Sequence, residues 1–345
     1  MAARMPERRL CGSVAGMDLE TAVRRAFAPA TRRGRVGVEI ELIPLAFGGR
    51  PAPERVAGVL DPRCAAGARA AFEAGGQLRL RIAPQPLPAL LGTVAGVLRR
   101  VRERATRSGI ALLAVGTDPQ HAAADVPLLV PSPRNVVLQH AFDARGPDGR
   151  RMMRLTAALR VCVDLLPGRA GYEQWLVANL AGPHLAAAFA NSPSLDGRPS
   201  GCAGARTGIW TRVDDRRCGY DGRHLDPRNP VGAYLAFAAA APRLPLPDAG
   251  HLDALFPPVR PCGGCLEVRY LDAQPDERVP AAVRTVHTLL THPVARATAL
   301  DLLLPGLADL PTAWRQAPAG WSPLAADLLT IAADAEPALD EVLVR

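Results

Sequence analysis

Side chains able to do chemistry concentrate in two short stretches. In the first, residues 34–42, Val38, Ile40 and Leu42 alternate with Glu39 and Glu41. That is the two-residue period of a strand, so both carboxylates point to one face. Like charges so placed repel unless a cation sits between them. A solvated strand edge would relieve the repulsion. So would a hard cation with oxygen ligands, Mg2+ being the expected one. In the second stretch, residues 254–275, the same alternation runs through Leu266-Glu267-Val268-Arg269-Tyr270. Glu267 and Arg269 then share one face, with Asp272 just beyond. Ahead of them lies Phe256-Pro257-Pro258-Val259-Arg260-Pro261, whose three prolines fix the backbone and hold Arg260 at one place. A carboxylate beside fixed guanidinium groups suits anion and metal chemistry, although alternation alone also describes a strand with a solvated charged face.

Between those two parts stand Cys262 and Cys265 with CxxC spacing. Zinc needs two more ligands at suitable spacing, and neither Cys218 nor His251 is paired with them by spacing. Free thiols in a loop of small residues are the expectation. His140, His184, His224 and His287 read as helix or surface residues. No GxSxG elbow, Walker loop or Rossmann glycine pattern occurs, which excludes the common hydrolase, P-loop and dinucleotide-binding classes.

Several elements must position these residues. Residues 18–27 read as a short helix with Asp18 as its N-cap. Residues 73–81 enter an alternating strand through Gly75-Gly76, with Gln77, Arg79 and Arg81 on one face. Leu87–Arg107 is the clearest helix. Leu90, Leu91, Val94, Val97, Leu98 and Val101 form its apolar stripe, and Pro88 suits its first turn. Strands follow at 110–115 and 158–164. Helices are expected over 173–189, 234–242, 280–291, 294–304 and 322–343.

The 345 residues can bury one large core or two modest ones, and 48% of them are apolar, so the chain is globular. The net charge is +8, and every basic residue is arginine. No basic block interleaves with aromatics, so nucleic acid is not an expected partner. Small acidic molecules account for the charge as well. No apolar run is long enough to cross a membrane and no signal peptide is read, so the cytoplasm is the expected compartment. The seven scattered cysteines do not suggest a disulfide framework.

The run Leu255–Pro261 followed by Leu266, Glu267, Arg269, Tyr270, Asp272 and Pro275 resembles the C-terminal signature of the glutamate–cysteine ligase family. It is most similar to the actinobacterial branch that serves ergothioneine synthesis. The resemblance extends from about Gly34 onward through the G-x-E-x-E strand, the GGQ run, Gly116-Thr117-Asp118-Pro119, Met152-Met153-x-x-Thr156-Ala157, Gly201, Arg206, Trp210, Asp214 and Arg217. It implies an α+β fold, an antiparallel sheet funnel with outer helices in the glutamine-synthetase-like ligase architecture. Residues 18–345 would form one domain behind a loose tail, 1–17. The implied reaction is ATP-dependent formation of γ-glutamylcysteine through a γ-glutamyl phosphate. Glu39, Glu41 and Glu267 would hold Mg2+. Arg260 and Arg269, with Glu267, would be catalytic. Gln77, Asp164, Arg206 and Trp210 would bind substrate and ATP. Strands 36–42, 77–81, 159–164 and 266–270 should be sheet neighbours.

Four departures accompany the resemblance. Cys262-Gly263-Gly264-Cys265 replaces a shorter basic turn, and a short link, 243–250, replaces a longer segment. Arg160 and Cys162 stand where the family carries amides. Arg79 stands where it carries a metal-binding glutamate, and arginine cannot ligate Mg2+. Arg79 should swing onto a carboxylate such as Glu41, or metal affinity should fall. The alternative reading is therefore a catalytically degenerate or substrate-shifted relative.

Overall fold

The computed structural model describes residues 18–60, 65–246 and 250–342. The proposed tail, 1–17, and part of the 243–250 link lie outside them. Seven antiparallel strands form the central sheet: β1 (Arg35–Ala46), β2 (Arg69–Phe72), β3 (Leu78–Pro86), β4 (Ile110–Leu113), β5 (Ala158–Asp164), β6 (Val259–Pro261) and β7 (Cys265–Asp272). Their order is β2-β3-β1-β5-β7-β6, with β4 paired to the far end of β1. The four strands expected to be neighbours are β3, β1, β5 and β7, and they are consecutive in the sheet.

Alternation explains the layering. Val38, Ile40, Leu42, Leu78, Leu80, Ile82, Leu159, Val161, Val163, Leu266 and Val268 are all essentially inaccessible on one face. Burying each such side chain contributes about 1.5–3 kcal/mol. Helix α1 (Leu87–Arg107) covers this face with Leu90, Val94, Val97 and Leu98. Helices α2 (Gly168–Leu180) and α3 (Val279–Thr291) add Trp175, Val283 and Val286 to the same core. The opposite face of the sheet carries the charged residues.

The pattern-based expectation left out helices such as Pro133–Asp143, Asp148–Leu155 and Ala205–Val213, and two further elements differ from it. The helix expected over 173–189 starts earlier and is divided into Gly168–Leu180 and Gly182–Ala188. Pro183, lacking an N–H, sits in the first turn of the second piece. Gly182 is also held close to Trp314, where a Cβ would lie 2.6 Å from the ring. Strand β2 was not anticipated, because its side chains are exposed or half-buried and show no alternation.

Candidate active site

The charged face is organised by register. On β1, Glu39 lies opposite Arg81 of β3 on one side and opposite Arg160 of β5 on the other. Glu41 lies opposite Arg79. Further along, Glu267 of β7 lies between Cys162 of β5 and Arg260 of β6. Opposite signs face each other across β3–β1, β1–β5 and β7–β6, which favours those pairings. Arg160 is the hub. Its guanidinium lies 2.5 Å from Glu41, 3.3 Å from Glu39 and 3.8 Å from Glu73. Arg81 pairs with Glu39. Arg79 pairs with Glu73 at 2.8 Å rather than with Glu41; Glu73 lies just past β2, the strand paired with the Arg79 segment of β3. The second oxygen of Glu41 accepts the Ala158 N–H at 2.8 Å. The Arg260 guanidinium meets Glu267, its partner across β6 and β7, at 2.8 Å, and Arg269 approaches the same carboxylate at 3.6 Å.

Apart from Glu39, which lies beneath its arginine partners, these residues line a cleft walled by Met152, Met153, Arg134, Trp210 and Phe256. The arginines set the carboxylate acidities. Burial opposes ionisation of Glu267, but Arg260, Arg269, Arg160 and Arg81 outweigh it and hold its carboxyl at about 2. Burial likewise opposes ionisation of Glu73, and Arg79, Arg160 and Arg134 hold it at about 2. Glu41 goes the other way: burial raises it, and Arg160 only partly compensates. Arg269 has a distinctive setting. Its guanidinium lies 5.9 Å from the Trp210 ring and 5.7 Å from the Phe256 ring, distances suited to cation–π attraction. Its Nε and one terminal nitrogen are buried without a hydrogen-bond acceptor among the described residues, as is the Trp210 indole N–H. Buried donors of this kind call for an anionic partner.

The expected site residues divide into two groups. Glu39, Glu41, Glu267, Arg260, Arg269 and Trp210 converge on this one face. The others have different surroundings. Gln77 borders the cleft, but its amide bridges Thr156 O at 2.9 Å and accepts from Gly75 N at 3.0 Å, so it shapes the wall. Arg206 also lines the cleft, and its guanidinium donates to the carbonyls of Arg269 at 2.9 Å and Tyr270 at 3.2 Å, which positions β7. Asp164 does not line the cleft. It ends β5 and accepts the Arg35 N–H at 3.0 Å. Asp272 accepts from Asn191 N and the Ser192 hydroxyl at 2.7 Å each, which ties the end of β7 to a loop. Sequence patterning missed Glu73, Arg134 and Phe256 as cleft residues. Glu73 stands before a turn and Phe256 before a proline pair, where no period identifies a facing direction.

Residues 35–337 match the model of glutamate–cysteine ligase family 2 (GCS2). The chain belongs to that family. It is 31% identical over 324 residues to the glutamate–cysteine ligase EgtA of Mycolicibacterium smegmatis, spanning 82% of this chain and 74% of the relative. It is 32% identical over 325 residues to EgtA of Mycobacterium tuberculosis H37Rv, spanning 81% and 73%. Among solved structures, a bifunctional glutathione synthetase from Pasteurella multocida aligns with a TM-score of 0.50 at 12% identity, covering 94% of this chain and 51% of that one. That likeness establishes the fold, an α+β ligase architecture. The chain is thus a ligase-family protein, and no described helix is long and apolar enough to cross a membrane.

The metal that the family implies meets an unsuitable donor set here. The carboxylates of Glu39, Glu41, Glu73 and Glu267 are each ion-paired with at least one arginine. Among the described residues no three acids, thiols or imidazoles are placed to hold a metal. The expected Mg2+ set of Glu39, Glu41 and Glu267 does converge on one face, but guanidinium groups take its oxygens. As for the thiols, neither Cys262 nor Cys265 forms a disulfide among the described residues; both are buried and packed with Cys162, and Cys162 and Cys262 line the cleft. Gly263 and Gly264 adopt φ of 59° and 97°, the left-handed region that lets this tight turn close. His251 lies outside the cleft lining and bonds Ala238 O at 2.7 Å.

Proposed function

We propose that this protein is an ATP-dependent glutamate–cysteine ligase that forms γ-glutamylcysteine, supplying ergothioneine synthesis as the relatives' name EgtA suggests. The observation that carries the reading is the Arg260–Glu267–Arg269 cluster with its unsatisfied Arg269 donors in the cleft. In this reading the γ-carboxylate of glutamate attacks the terminal phosphorus of ATP, and ADP leaves. The cysteine amine then adds to the acyl phosphate and expels inorganic phosphate, its proton passing to solvent. Arg260 and Arg269 stabilise the transferring phosphoryl group, a role suited to preorganised cations. Glu267 aligns both guanidinium groups. Trp210 and Phe256 both lie against Arg269 and keep water from it.

A second reading draws on Arg160: with its guanidinium between Glu39 and Glu41, the cleft could bind an anionic ligand without turning it over. One assay separates the two. Purified protein is incubated with ATP, Mg2+, glutamate and cysteine, and ADP and dipeptide are quantified. Stoichiometric ADP and dipeptide support the ligase. Nucleotide binding with neither product supports the binding protein.

A further inference from the structure

We infer that the cleft carries its cation as part of the chain: the Arg160 guanidinium, flanked by Arg79 and Arg81, takes the place among Glu39, Glu41 and Glu73 that a protein-held divalent cation would fill. The inference concerns the same cleft but stands on the ion pairs, and it does not require the ligase reading to be correct.

Three features support it. The first is occupancy. Both oxygens of Glu39 are engaged, one by Arg81 and one by Arg160. Both oxygens of Glu41 are engaged, one by Arg160 and one by the Ala158 N–H. A small dication that demands close octahedral oxygens and sheds water reluctantly would have to displace these partners. The second is charge. Glu39, Glu41, Glu73 and Glu267 are met by Arg79, Arg81, Arg160, Arg260 and Arg269, so the cluster is already slightly positive. A dication would enter against that excess in a buried, weakly screened setting. The third is permanence. Burial disfavours the Arg160 charge, but Glu41, Glu73, Glu39 and Glu267 more than restore it, and arginine does not deprotonate in proteins. No rise in pH vacates the place. The register makes the arrangement architectural, since Arg160 and Arg81 sit directly across from Glu39 in adjacent strands.

The consequence is a division of labour. The floor offers fixed guanidinium donors to an incoming anion, and a divalent ion can reach the cleft only as the companion of a nucleotide.

The test uses Mn2+, followed by its paramagnetic resonance, titrated into the full-length protein without nucleotide. The wild type is expected to show no saturable site below millimolar concentration and no rise in Tm with added Mn2+. The double variant R79E/R160Q is expected to bind Mn2+ at least about tenfold more tightly and to gain a Mn2+-dependent rise in Tm. Should that variant fail to fold, Arg160→Gln alone, which vacates the place while Arg79 stays on Glu73, is read the same way with a smaller gain. A saturable micromolar Mn2+ site in the wild type, lost in Glu41→Gln, overturns the inference. A folded variant with no gain in Mn2+ affinity also overturns it, because the place would not then be a cation's. Dipeptide formation is scored separately: an inactive wild type that binds no Mn2+ defeats the ligase reading and leaves this inference standing.

Discussion

At the scale of single residues, Arg160 and Arg269 carry opposite kinds of information. Arg160 is fully committed to acids, and removing it would leave Glu39 and Glu41 buried with too few partners. Arg160→Gln is therefore expected to destabilise the fold by about 3 kcal/mol or more, read from denaturant midpoints. Arg269 instead keeps buried donors without acceptors. Lysine keeps the charge but loses the planar, multi-donor geometry and the stacking on two rings. Arg269→Lys is expected to lower kcat/KM of the proposed ligation about tenfold or more, with little change in unfolding. A larger loss of stability than of activity would make Arg269 a packing residue instead. The sequence made Glu39, Glu41 and Glu267 legible as face-sharing acids because alternation is local. It did not reveal which arginine each acid would meet. Arg160 reaches Glu39 and Glu41 only because β5 is laid beside β1, a fact about strand order over more than a hundred residues.

At the scale of elements, the end of β7 is where the cleft is braced. Asp272 ties Asn191 and Ser192, and Arg206, 3.6 Å from the Asp272 carboxylate, holds the carbonyls of Arg269 and Tyr270. Gly116 passes so close that a Cβ there would fall 2.5 Å from the Asp272 carboxyl carbon. Gly116→Ala should cost about 1–3 kcal/mol and should also lower ligation, since the shift would propagate to Arg269. Calorimetry together with the dipeptide assay checks both parts. An unchanged Tm would show that the loop gives way freely. The α1 stripe and the β5 alternation were readable from sequence because each buries one face against a single large core. The backbone partners of Gln77, Asp164 and Arg206 were not, because each lies in a distant segment.

At the scale of the whole molecule, the charged face ties stability to acidity. Glu73 and Glu267 have folded-state pKa values near 2, below the ordinary 4.5. Folding therefore favours their ionised forms. The stability this supplies is complete above about 4.5 and is lost as pH falls through about 2. Glu41 is shifted upward and offsets part of the loss. Denaturant midpoints followed from neutral pH downward should fall across that window, and Glu267→Gln should show a shallower acid limb. A wild-type midpoint flat across the window would refute the ion-pair assignment. The trio of Cys162, Cys262 and Cys265 adds a built-in stopwatch for the same face. The Cys265 thiol is raised well above its ordinary value by hydrogen bonds with Cys162 and Cys262 and by burial, so little thiolate is available to react. Alkylation of these three positions should wait for β5, β6 and β7 to part. With excess reagent, site-resolved labelling rates would time that separation without an added probe, and a ligand seated on Arg260 and Arg269 should slow the clock.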